Sequence, residues 1–188
     1  MDGVAVMNTV KVERDDGTGK LTYAKAMEGA ISQPVHSGLI MAGAGERKSV
    51  AVRVEHRVLD CHRDVTRKGV AAGDGFGTFD GMLYVARDAQ HTEAYQQSRN
   101  LIMGGKARIL TSPQLEIYAD DVKCSHGATV GQMNDDAVYY MRQRGLSEAE
   151  ARGLQLAGVV NELIMRFEGG LAQRVLGASA KKIECMQR

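Results

Sequence analysis

The chain has 188 residues, enough for one sizeable core, and 24 Lys and Arg nearly balance 23 Asp and Glu, which argues against a nucleic-acid surface or a strongly acidic partner. Three cysteines, widely spaced and odd in number, argue against a disulfide framework and point to a reducing compartment. No apolar run is long enough to cross a membrane, and Met1-Asp2-Gly3-Val4 lacks the basic and apolar regions of a signal peptide, so a cytoplasmic protein is expected.

Residues 3–12 alternate loosely at Val4, Val6, Val10 and Val12, residues 15–19 read as a turn, and Leu21 to Met27 returns as a second strand. Residues 34–45 are rich in Gly and Ala around an apolar Leu39-Ile40-Met41 insert. Ser49 to Leu59 is the clearest strand of the first half, with Val50, Val52 and Val54 on one face and Arg53, Glu55 and Arg57 on the other. Val65 to Ala71 follows, closed by Gly73-Asp74-Gly75, and then Phe76 to Ala86. Three short strands, 100–103, 107–111 and 114–119, are separated by Gly104-Gly105 and Pro113. Asp120-Asp121 makes a turn, and the chain extends again from Val122.

No helix-length segment separates these strands, so an α/β layout with crossover helices is excluded. A sandwich, a barrel and a parallel solenoid all fit the pattern. After Gly131 the pattern changes. Asn134 followed by Asp135 and Asp136 is an N-cap with acids in the first turn, which predicts a short helix over 135–144. Ser147 to Glu150 is a capping box for a second helix running from Glu148 to about Phe167. Gly169-Gly170 breaks it, Leu171 to Leu176 forms a shorter last helix, and residues 178–188 are expected to fray. The chain divides at 131: strands over 1–131 and a helical subdomain over 132–188.

Cys124 and His126 stand two residues apart, so in an extended chain both face the same way, roughly 6–7 Å apart. They form a half-site for a soft metal; four ligands would be needed for a whole one. A Cys and a His this close are more often packing residues than ligands. Asp60, Cys61 and His62, with His56 nearby, read as packing residues because adjacent side chains of a strand face opposite sides. Gly73-x-Gly75-x-Gly77 lacks the Lys-Ser/Thr ending of a phosphate loop and reads as a turn. No catalytic constellation stands out.

On the second helix, Leu154, Leu156, Ala157, Val159, Val160, Leu163, Ile164, Met165 and Phe167 occupy an arc of about 240°. Gln155, Glu162 and Arg166 fill the polar strip. An arc of about 100° suffices to pack a helix on its own domain, so the surplus points to a second contact, either a partner or neighbouring elements of the same chain.

The segment Pro113-Gln-Leu-Glu-Ile, then Asp120-Asp-Val-Lys-Cys-Ser-His-Gly-Ala-Thr-Val-Gly131, followed by Tyr139-Tyr-Met-Arg-Gln-Arg-Gly-Leu-Ser-Glu148, resembles the C-terminal part of the SufB/SufD family, and more closely its SufD branch. Weaker matches reach back to His56 through Lys68-Gly69-Val70, Phe79, Gly81 and Asn100-Leu101. The resemblance implies a mainly β fold, a right-handed parallel β-helix followed by a small helical subdomain, and a non-enzymatic scaffold subunit of the SUF iron–sulfur cluster assembly machine. It implies two partners, a SufB-like subunit and a SufC-type ABC ATPase. The ATPase would dock on the helical segment, at Leu154, Val159, Val160, Leu163, Ile164 and Phe167. Pairing would use the last coil, with Glu116, Tyr118 and Lys123 near the seam; a homodimer is the alternative pairing. His126, with Cys124 behind it, would meet iron or a cluster at the subunit boundary, and the chain alone would hold no cofactor. Ala107 stands where SufB-like members carry a cysteine. The rival reading, a β-helical carbohydrate-active enzyme, is disfavoured because 5% aromatic residues and no Trp leave little surface for sugar stacking.

Overall fold

The computed structural model describes residues 12–15, 18–27, 36–166 and 170–187. The expected alternation at Val4, Val6 and Val10, and Phe167 of the expected docking face, lie outside the described residues. Among the described residues, nine strands are followed by three helices: β1 (Val12–Asp15), β2 (Thr18–Met27), β3 (His36–Ala42), β4 (Arg47–His56), β5 (His62–Ala72), β6 (Phe76–Val85), β7 (Glu93–Met103), β8 (Arg108–Ile117), β9 (Lys123–Gln132), α1 (Asp135–Arg142), α2 (Glu148–Ile164) and α3 (Gly170–Met186). The strands form two sheets, β1-β2-β4-β6-β8 and β3-β5-β7-β9, and from β2 onward the chain passes from one to the other at each turn. All neighbours pair in parallel except β1, which runs antiparallel to β2 along the first edge. The result is a parallel β-solenoid of about three turns, as the resemblance implied. Polar pairs between stacked coils lie 29 to 31 residues apart.

Alternation decides which side chains face the interior. Val52, Val54, Phe79 and Leu83 from one sheet meet Ile40, Val65 and Ala94 from the other in one apolar cluster. The outer face of the second sheet is apolar too: Met41, Val70, Ala72 and Met103 form a single core with Val138 of α1 and Ala151, Leu156 and Val160 of α2. The helices thus cover one side of the solenoid, and β3 and β5 are buried on both faces.

Four elements differ from the expectation. β3 was not expected as a strand, because burial on both faces erases its alternation. Glu93 to Arg99 belongs to β7 although its inward positions are Ala94, Gln96 and Ser98, small or polar side chains that carry no apolar signal. β8 runs through Pro113 without a break; it is the last strand of its sheet, and an edge strand tolerates a residue with no N–H to donate. α3 extends to Met186 where fraying was expected. Ile183 and Met186 pack on the helix–sheet core, the Lys182 ammonium lies 2.5 Å from Glu46 Oε1, and the Gln187 side-chain amide donates to the Ala149 carbonyl at 2.6 Å. Tertiary contacts hold what local propensity would release. The N-caps are as read: Asn134 accepts from the Ala137 N–H, and Ser147 and Glu150 make a reciprocal capping box.

Candidate partner interface

The two sheets end at β8 and β9, so the last coil presents two strand edges with no neighbour among the described residues. Within β8 the register pairs Leu115 with Leu83 and Ile117 with Val85, both interior residues. Within β9 it pairs Cys124 with Ala94, His126 with Gln96, Ala128 with Ser98 and Val130 with Asn100. All of these continue the inward columns of the coils beneath, yet no further coil among the described residues covers them. Ile117 is therefore 40% exposed and Val130 44% exposed, two apolar side chains at an open mouth.

Cys124 and His126 do share a face, set by the pairing of β9 with β7. Their surroundings differ. Cys124 is half-buried against the interior cluster, and burial pushes its thiol above the ordinary range despite a hydrogen bond with the Ala94 backbone. A protonated thiol is a poor metal ligand. His126 is exposed at the mouth. Among the described residues no three His, Cys, Asp or Glu side chains come together as a metal site, so Cys124 and His126 stand as two donors and not a complete ligand set.

Of the expected seam residues, Glu116 lies on the outer face of β8 in register with Tyr84. Tyr118, just beyond β8, packs its ring at a tilt against Tyr84, with centroids 5.5 Å apart, and the Arg53 guanidinium lies over Tyr84 at 5.6 Å. Lys123 opens β9 with its ammonium 2.8 Å from Glu93. The other metal-ligand types scatter. His56 is fully buried with neither ring nitrogen hydrogen-bonded, the Cys61 thiol donates to the Val58 carbonyl at 3.3 Å, and Asp60 and His62 turn to His91 and Glu93.

The expected docking residues on α2 divide. Val160 and Leu163 are buried in the chain's own core, and Val159 and Ile164 are half-buried against it. Leu154 is 52% exposed. On the same helix face as Leu154, one further turn along, Gly158 is exposed, and Met165 near the helix end is 87% exposed. Tyr139 and Tyr140 of α1 are exposed as well, the latter under the Arg144 guanidinium at 4.3 Å. The polar strip of α2 is not idle: Gln155 exchanges hydrogen bonds with the Asn134 backbone, Glu162 binds Lys68, and Arg166 reaches Asp64 at 2.8 Å. Much of the apolar arc is thus spent on the solenoid, α1 and α3. No helix of the described residues is long and apolar enough to cross a membrane.

The open end missing from the sequence reading was Ile117, Ala128 and Val130. Its signal was present, because Cys124, His126, Ala128 and Val130 alternate as an interior column does.

The family model of the SUF system FeS cluster assembly SufBD core domain matches residues 2–159. The chain is similar to the iron-sulfur cluster assembly protein SufD of Escherichia coli, 37% identical over 131 residues, covering 69% of this chain and 31% of that protein. An iron-sulfur cluster assembly SufBD family protein of Synechocystis is 48% identical over 86 residues, 46% of this chain and 19% of the relative. A chloroplastic protein of Arabidopsis thaliana is 39% identical over 98 residues, 52% of this chain and 21% of the relative. The chain spans less than a third of the length of these curated relatives.

Proposed function

The chain belongs to the SufBD family of the SUF iron–sulfur cluster assembly system, and on that footing we propose that it is a non-enzymatic scaffold subunit that works by lending surfaces. The observation that carries this reading is the uncovered mouth of the solenoid, where Ile117, His126 and Val130 stand exposed beside two unpaired strand edges. Such edges are templates for another chain. A SufB-like subunit pairs there, covering the mouth, and His126 meets iron or a nascent cluster as cargo at the boundary. Cys124, held as a thiol below the surface, stands behind it. The α1–α2 flank, with Tyr139, Tyr140 and Leu154 exposed, docks a SufC-type ABC ATPase that supplies the nucleotide chemistry. The compartment is the cytoplasm.

The carbohydrate-enzyme reading finds little support. The hollow of about 680 Å³ at the coil corner is lined by Arg57, Val58, Leu59, Arg87, Asp88 and Gln90, with one carboxylate and no aromatic ring.

The test is co-expression of the tagged chain with a SufB-like subunit and a SufC-type ATPase, followed by capture and iron analysis. Capture of both partners, and iron that falls on His126→Ala without loss of the complex, is the expected result. A folded chain that captures neither partner overturns the reading.

A further inference from the structure

Two columns of ionisable side chains climb one corner of the solenoid, one rung per coil. In the first, the His91 ring stands between two carboxylates, with Nδ1 3.1 Å from Asp60 Oδ1 and Nε2 3.3 Å from Asp121 Oδ2. In the second, the Glu93 carboxylate stands between His62 Nδ1 at 3.3 Å and Lys123 Nζ at 2.8 Å. The backbone fixes both stacks. His62, Glu93 and Lys123 are register partners along β5, β7 and β9. In the first column, the Asp60 N–H donates to the Gln90 carbonyl at 3.0 Å and the His91 N–H to the Asp121 carbonyl at 2.6 Å. Asp60 and His91 both adopt left-handed backbone, with φ of 55° and 59°, so successive turns have the same shape.

Each middle rung has an ionisable neighbour above and below, and each rung at the mouth has one on a single side. Asp121 and Lys123 are the last rungs, 82% and 75% exposed, and they bring opposite charges to the rim two residues apart. The position that would hold the next rung belongs to whatever chain lies along β9.

We infer that Asp121 and Lys123 form a two-charge key at the solenoid mouth, completed by a partner scaffold subunit that sets a basic or imidazole side chain against Asp121 and a carboxylate against Lys123. The inference rests on the reading that a scaffold subunit pairs at this mouth, and it names what selects that subunit. Strand edges alone accept any extended chain, since the backbone ladder is the same for all. Opposed charges at a rim select among chains and speed their encounter, while like charges placed together are costly.

The experiment measures binding of a SufB-like subunit to the full chain at low salt and at about 0.5 M salt, where exposed charges are screened. Lys123→Glu and Asp121→Lys are each expected to weaken binding by about tenfold at low salt, chiefly through slower association, with the deficit shrinking at high salt. Lys123→Arg and Asp121→Glu should bind as the unaltered chain does. The neutral variants Lys123→Met and Asp121→Asn should fall between and serve if a reversal fails to fold, which thermal melting checks. Binding by the unaltered chain that both reversals match within about twofold at either salt overturns the key and leaves the pairing intact. No binding by the unaltered chain overturns the pairing and the key with it.

Discussion

Lys68, on the outer face of β5, places its ammonium against the Glu162 carboxylate of α2, 94 residues further along the chain. The lysine side chain is 3% exposed under the helix and the glutamate 57%, with the Arg99 guanidinium 3.5 Å away on its outer side. Attraction to Lys68 holds Glu162 below the usual carboxylate range. Just past the end of α2, Arg166 binds Asp64 and Thr66, so β5 on one side and α2 with its C-terminal turn on the other each give one cation and one anion. Removing the partner of a buried ammonium leaves its desolvation uncompensated, whereas replacing the ammonium by an apolar chain does not. Glu162→Gln should therefore cost about 1–3 kcal/mol in urea unfolding and Lys68→Met less, with the double variant no worse than Lys68→Met. Equal costs for the two single variants would contradict this asymmetry.

Much of the solenoid was legible because its first sheet alternates: Val50, Val52 and Val54 face in and Arg53 and Glu55 face out, so β4 declares itself. The helical caps at Asn134 and Ser147 were equally plain, since capping is local chemistry. The second sheet hid itself. With helices outside and a partly polar interior inside, Leu39-Ile40-Met41 lost its period and Glu93 to Arg99 lost its apolar positions. Pattern left sandwich, barrel and solenoid open, and only the family resemblance separated them. For the interface, the shared face of Cys124 and His126 followed from spacing. The burial of Val160 and Leu163 did not, because a wide apolar arc says how much surface is greasy and not which neighbour covers it.

His56 ends β4 fully buried, with no hydrogen bond to either ring nitrogen. Burial, reinforced by the Arg63 guanidinium, lowers it from the ordinary 6.5 to about 4. The fold therefore favours the neutral ring, while the unfolded chain takes up a proton below pH 6.5. The stability this supplies is complete above pH 6.5 and is lost as pH falls to 4, in all about 3 kcal/mol. His56→Leu should flatten stability against pH across that window and leave pH 7 stability equal or higher. A variant with the same acid slope would assign that slope to other groups.

Glu46, in the turn between β3 and β4, accepts from the Gly43 N–H at 2.8 Å and binds Lys182 and Lys48 at 2.5 and 3.2 Å. Burial alone would raise its carboxyl, but these bonds outweigh it and lower the group from 4.5 to about 2. A depressed carboxylate contributes above the unfolded value and loses that contribution as pH falls from 4.5 to 2. The carboxylate is partly solvated, so Glu46→Gln should cost only about 1 kcal/mol at pH 7 and nothing near pH 2. The loss should be local. Amide exchange at residues 178–187 should quicken while α2 keeps its protection.

Gly81 faces the interior, where the Gln96 side chain crosses from the opposite sheet, and a Cβ there would collide with the Gln96 amide and the Phe79 ring. Both are buried, so neither has room to yield. Gly81→Ala should cost about 1–3 kcal/mol. Gly127, beside His126 at the mouth, has no atom within 4 Å of that position. Gly127→Ala should be neutral or stabilising by a few tenths of a kcal/mol, about what loss of unfolded-chain freedom supplies. Urea midpoints of the pair should therefore separate a filled interior position on β6 from an open position on the outer face of β9.

Leu154 and Leu163 sit on one helix yet have opposite surroundings, the first 52% exposed and the second 0%. An aspartate at Leu163 would be buried without a partner and should unfold the helical segment, costing more than about 4 kcal/mol. Leu154→Asp places its charge in water, so the melting temperature should move by no more than a few degrees. Under the proposed docking, a leucine at the centre of the interface is worth about 2 kcal/mol or more, so the same change should cut ATPase capture at least thirtyfold. A folded Leu154→Asp chain that captures the ATPase undiminished would remove Leu154 from the docking surface and leave the exposed tyrosines of α1 to carry it.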